Sequence, residues 1–123
     1  MAKRNNLLKD KKISIWKSGM IRDSLGQLKP GGYEKIHDGK LWAHYRQLSA
    51  SESFEVAFYQ YEADAVFTIN WRDDIKNDML ILYHGEVYNI KKIDHYEDYK
   101  NDIQITAKTT GKDISSYKGM ADS

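Results

Sequence analysis

No cysteine occurs in the 123 residues, which removes disulfide staples, thiolate nucleophiles and cysteine-based zinc sites together and leaves stability to the packed core. Proline is nearly absent too, with a single residue at position 30. No charge predominates: 19 Lys+Arg stand against 18 Asp+Glu, a formal net charge of +1. There is thus no global field to draw in nucleic acid or an anionic membrane, and any contact with phosphates must be local. Long apolar runs are missing, since the longest, Met79-Leu80-Ile81-Leu82-Tyr83, is far short of the roughly 20 residues a membrane helix needs. The basic start runs into Lys9, Asp10, Lys11 and Lys12 rather than an apolar stretch, so it does not read as a secretory signal, and a soluble protein without a membrane partner is expected. What is present, 41% hydrophobic and 30% charged residues at this length, suits one domain, 1–123, with one core. Such a chain has room for a small barrel or sandwich and little for a deep cleft.

The apolar spacing is mostly period two, interrupted often by turn residues, which is the pattern of an antiparallel all-β domain. Six strands are expected, at 12–17, 40–48, 63–71, 78–83, 86–94 and 102–110. In the third, Ala65, Phe67, Ile69 and Trp71 share one face and Val66, Thr68 and Asn70 the other. His84-Gly85 joins the fourth and fifth as a two-residue hairpin, with glycine supplying positive φ. The expected core comprises Ile13, Ile15, Phe67, Ile69, Trp71, Ile81, Tyr88, Ile90, Ile103 and Ile105.

Two segments break this period. Residues 18–39 hold Gly19, Gly26, Pro30, Gly31, Gly32 and Gly39 and read as a long loop, a kind that is usually functional or disordered. In residues 49–61, Ser49 and Glu52 form a capping-box pattern, followed by Phe54, Ala57, Phe58 and Tyr61 at helical spacing, which predicts one short amphipathic helix. The N-terminal arm 1–10 and the polar tail 111–123 are expected to be flexible outside a barrel spanning about 11–110.

Catalytic chemistry is not signposted. His37, His44, His84 and His95 are scattered, and no paired-histidine metal motif occurs. His95, Glu97 and Asp98 are close enough in sequence to hold a hard cation, but read first as a solvated turn, while Asp73, Asp74, Asn77 and Asp78 lack the order of a calcium loop. No cofactor, metal or enzymatic role is expected. Aromatics reach 12%, yet Tyr59, Tyr61 and Glu62, or Tyr96, Glu97, Asp98 and Tyr99, interleave them with acids that repel phosphate. A small SH3-like or OB-like binding module for protein or single-stranded nucleic acid is the alternative reading.

Taken in order, several stretches resemble the phage head-tail joining proteins, the head-closure or stopper subunits of long-tailed phages. These are Lys12-Ile-Ser-Ile-Trp16, the glycine-rich segment, Leu41-Trp-Ala-His-Tyr-Arg-Gln-Leu-Ser49 running into an acidic-aromatic helix, Phe67-Thr-Ile-Asn-Trp-Arg72, and Asp78-Met-Leu-Ile-Leu-Tyr-His-Gly-Glu-Val-Tyr-Asn-Ile90. The resemblance implies a small β-barrel connector subunit, made in the host bacterial cytoplasm and built into the virion. It implies a ring homo-oligomer beneath the portal and adaptor proteins that closes the exit channel after packaging and receives the tail. Packaged double-stranded DNA would be held by obstruction. The segment placed toward the channel includes Ser51, Glu52, Ser53, Phe54, Glu55 and Phe58, and the segment reaching subunits or tail includes Leu25, Gly26, Leu28, Gly31, Gly32 and Tyr33.

Overall fold

A computed structural model describes residues 8–48, 63–94 and 102–121. Its strands are β1 (Lys11–Arg22), β2 (Leu28–Lys35), β3 (Leu41–Gln47), β4 (Ala65–Asn70), β5 (Leu80–Tyr83), β6 (Glu86–Asp94) and β7 (Asp102–Asp113), followed by a single 3-10 turn, Ile114–Ser116. All pairings are antiparallel. The order β1-β3-β4-β7-β6-β5 closes on itself because Ser14, Ile15 and Trp16 of β1 pair with Leu82, Ile81 and Leu80 of β5. The result is a six-stranded barrel, in keeping with the antiparallel all-β domain expected from the period-two spacing, and closure removes the barrel's own sheet edges, which would invite aggregation.

Alternation sends one set of side chains inward. Ile13 and Ile15, Ala43, Ala65, Phe67 and Ile69, Ile81, Tyr88 and Ile90, and Ile103, Ile105 and Ala107 form the buried core. Of the ten core residues expected from sequence, nine are buried, and Trp71 is only partly buried, packed on the core's margin. At its centre Phe67 is fully buried, with ring centroids 5.3 Å from Tyr45, 5.6 Å from Tyr83 and 5.2 Å from Tyr88. Burial pushes the Tyr88 and Tyr83 hydroxyls above the ordinary phenol range, so both stay protonated. The His84-Gly85 connection has φ of 51° and 76°, both left-handed, as a hairpin turn of this length requires.

The glycine-rich stretch departs from expectation. It is a strand, not a long loop: β1 runs on to Arg22 and β2 pairs back from Leu28. Beyond Trp16, β1 pairs with β2 alone, so the two form a ribbon leaving the barrel. Glycine and proline fit here because the ribbon contains a bulge. Between Ser18↔Tyr33 and Met20↔Pro30 the second strand spends one extra residue, where Gly32 sits at φ 72°.

The barrel also extends past the boundary drawn at residue 110, since β7 continues to Asp113. The following residues cross the outside of the barrel as a strap. Met120 is buried against Trp16, Leu80, Leu82 and Val87, with Tyr33, Ile114 and Tyr117 around them, a second and smaller core. Two contacts fix it to the base of the ribbon: the Tyr33 N–H donates to the Lys118 carbonyl at 2.7 Å, and the Tyr33 and Tyr117 rings meet edge-on at 5.4 Å.

Candidate functional surfaces

The ribbon tip is built by one carboxylate. Asp23 Oδ1 accepts from the N–H groups of Leu25 (2.9 Å) and Gln27 (3.0 Å), and the Asp23 backbone bonds Gln27 and Gly26. Arg22 turns back to donate to the Gly26 carbonyl at 2.7 Å, and Gly26 takes φ 81°. These bonds hold the tip in one shape and leave Leu25 81% exposed, with Met20 and Leu28 each 58% exposed below it. An apolar knob on a fixed hairpin is a contact surface in form.

Of the residues singled out for subunit or tail contact, Leu25, Gly26 and Leu28 gather at this tip. Gly31, Gly32 and Tyr33 do not. They lie at the bulge and the ribbon base, where Tyr33 holds the strap and the Lys118 carbonyl stands 3.6 Å from where a Gly32 side chain would begin.

The ribbon is joined to the barrel through His37. Its Nε2 accepts the Ile15 N–H at 3.0 Å, and the Ile36 N–H donates to the Ile15 carbonyl at 3.1 Å. Between the end of β2 and the start of β3, an imidazole thus replaces a strand partner. Accepting at Nε2 places the proton on Nδ1, which faces the Asp38 carbonyl at 3.3 Å. Burial holds the imidazole's pKa below its usual 6.5, and the nearby cations Arg72 and Lys35 push the same way.

Beside this joint, at the β3 start and the β4 end, Lys40, Leu41, Trp42, Ile69, Asn70, Trp71 and Arg72 line a depression of about 260 Å³. Trp42 is 54% exposed, and the Lys12 ammonium lies 4.9 Å over its ring. Asp74 holds Arg72 by two bonds of 2.9 and 2.7 Å, which lowers the carboxyl's pKa and raises that of the guanidinium.

At the opposite end of the β3–β4 pair the chain leaves at Leu48 and returns at Ala63. This gateway is clamped: the Leu48 N–H donates to the Asp64 carbonyl at 2.8 Å, the Asp64 N–H to Ala107 at 2.9 Å, and the Thr109 N–H to Asp64 Oδ2 at 2.8 Å. The expected helix 49–61 and its channel residues Ser51, Glu52, Ser53, Phe54, Glu55 and Phe58 lie outside the described residues, as does the His95, Glu97 and Asp98 group. Among the described residues no three His, Asp or Glu side chains converge as a metal site requires, and no helix is long and apolar enough to cross a membrane.

A sequence model of the family described as phage head completion protein matches residues 9–110. The fold is shared with the solution structure of protein SF1141 from Shigella flexneri 2a, at a TM-score of 0.70 and 20% identity over 89% of this chain and 99% of that one. No curated protein matches the chain.

Proposed function

The chain belongs to the phage head completion protein family, and on that premise we propose that it is a structural subunit of the head-tail connector. It forms a ring next to the portal or adaptor layer, closes the DNA exit channel after packaging and presents the surface on which the tail docks. The observation that carries this reading is an inert centre with the ribbon leaving at one end and, at the other, the clamped gateway where the chain leaves at Leu48 and returns at Ala63. The barrel interior is filled by Ile13, Ile15, Phe67, Ile81 and Ile105, each fully buried, so no passage runs through a subunit. A conduit for DNA therefore lies between subunits, around a ring axis. The ribbon leaves the barrel past the end where Ile13 faces Leu41, and the clamped gateway to residues 49–62 opens at the end where Gln47 faces Ala65.

In this arrangement the ribbon serves subunit or tail contact and residues 49–62 face the channel. The acidic residues Glu52, Glu55 and Glu62 suit a barrier that obstructs DNA without binding it, because ion pairing to phosphates would slow later exit and make it steeply salt-dependent. No catalytic step is required. The reading is tested by infection with phage lacking this chain. The expected products are heads that package DNA, fail to retain it and carry no tails, with tail joining restored by adding the purified protein. Heads that hold their DNA and join tails without it would refute the proposal.

A further inference from the structure

We propose that the ribbon tip of one copy seats Leu25 in the Trp42–Trp71 depression of the next copy around the ring. This rests on the ring reading above and supplies its subunit contact. Two observations carry it. First, the chain bears a matched pair of features: a knob of exposed Leu25, Met20 and Leu28 held rigid by Asp23, and an aromatic-walled depression. At about 260 Å³ the depression is smaller than the roughly 300–1,000 Å³ of small-molecule sites, a size that suits a protruding side chain.

Second, the two features sit at the same end of the barrel but cannot meet within one copy. Lys35 at the ribbon base and Arg72 of the lining both lie near His37, and from Trp16, which pairs with Lys35, to Arg22 the strand carries the tip away by about 20 Å at roughly 3.3 Å per residue. That reach is the scale of a neighbouring barrel. A knob entering a different surface on the next copy is a head-to-tail contact, the kind that generates a ring when its rotation closes. A tip-to-tip contact would stop at two copies and leave every depression open.

The absence of native cysteine makes the test clean. Leu25→Cys and Asn70→Cys, both at exposed positions, are introduced together into phage, and assembled particles are treated with a short thiol-specific crosslinker. The expected result is a ladder of covalent multimers from the double variant and none from either single variant. A dimer from Leu25→Cys alone would show tips pairing with each other and overturn the proposal. No ladder from particles whose connector ring of this chain is visible by electron microscopy would overturn the knob-in-depression contact and leave the ring standing. Particles that hold the chain without any ring would overturn both.

Discussion

The Ile15 N–H reaches the Nε2 of His37 at 3.0 Å, so a side chain 22 residues away completes the hydrogen bonding of a strand at the heart of the barrel. The bond exists only while Nε2 is unprotonated. Because burial lowers the folded-state pKa of His37 below 6.5, the unfolded chain binds this proton more readily. The stability contributed is therefore complete above about pH 6.5 and is lost as pH falls from there through the lowered folded value. Urea unfolding should show a midpoint that drops as pH falls from about 6.5. His37→Ala should remove that pH dependence and cost about 1–3 kcal/mol at neutral pH, the penalty of a buried amide left unpaired. An unchanged pH profile in the variant would show that the imidazole does not carry the effect.

Phe67 is fully buried and in ring contact with three tyrosines. Phe67→Ala should cost about 3–5 kcal/mol through lost transfer energy and the cavity left behind. Chemical denaturation measures it, and a loss under 1 kcal/mol would mean that the aromatic cluster is not the packing centre.

Gly119 tests the strap. Its φ is 90°, and a side chain there would begin 2.7 Å from the Tyr33 carbonyl oxygen. Gly119→Ala should lift Met120 from Trp16, Leu80, Leu82 and Val87 while leaving the barrel core in place, at a cost of about 1–3 kcal/mol for the strained backbone. Hydrogen exchange should accelerate at Tyr33, whose amide is bonded to Lys118, with the β4 and β7 amides unchanged. Uniform acceleration would show that strap and barrel unfold as one unit.

The isolated chain should sediment as a 14.3 kDa monomer at micromolar concentration, because one small knob per copy buries too little for a stable interface without the connector layer beneath it. A closed ring in the absence of partners would contradict sequential assembly.

The barrel was legible in the sequence because its inward residues are large, often β-branched and strictly alternating, as in Ile103, Ile105 and Ala107. The strand order carried the family resemblance, and the family match over residues 9–110 nearly coincides with the stretch 11–110 assigned to the barrel. The ribbon was missed because glycine and proline break regular strands, yet a bulged two-stranded hairpin outside the barrel tolerates both. The strap was missed because Ile114, Tyr117 and Met120 follow no period. Its signal lay elsewhere, in Trp16, Leu80, Leu82 and Val87, apolar residues on strand faces that an unstrapped barrel would leave to water. His37 carried no signal, since an imidazole replacing a strand partner leaves no spacing rule to read.

The central claim, that this chain closes the DNA channel through the segment between β3 and β4, is tested most directly by replacing residues 51–60 with a short Gly-Ser linker. The clamp of Leu48 to Asp64 and the pairing of Gln47 with Ala65 remain in the variant, and an unchanged melting temperature verifies that the barrel folds. The measurement is the DNA content of purified heads over time. The account predicts heads that package a full genome and then lose it, and heads that keep their DNA and infect normally would contradict it.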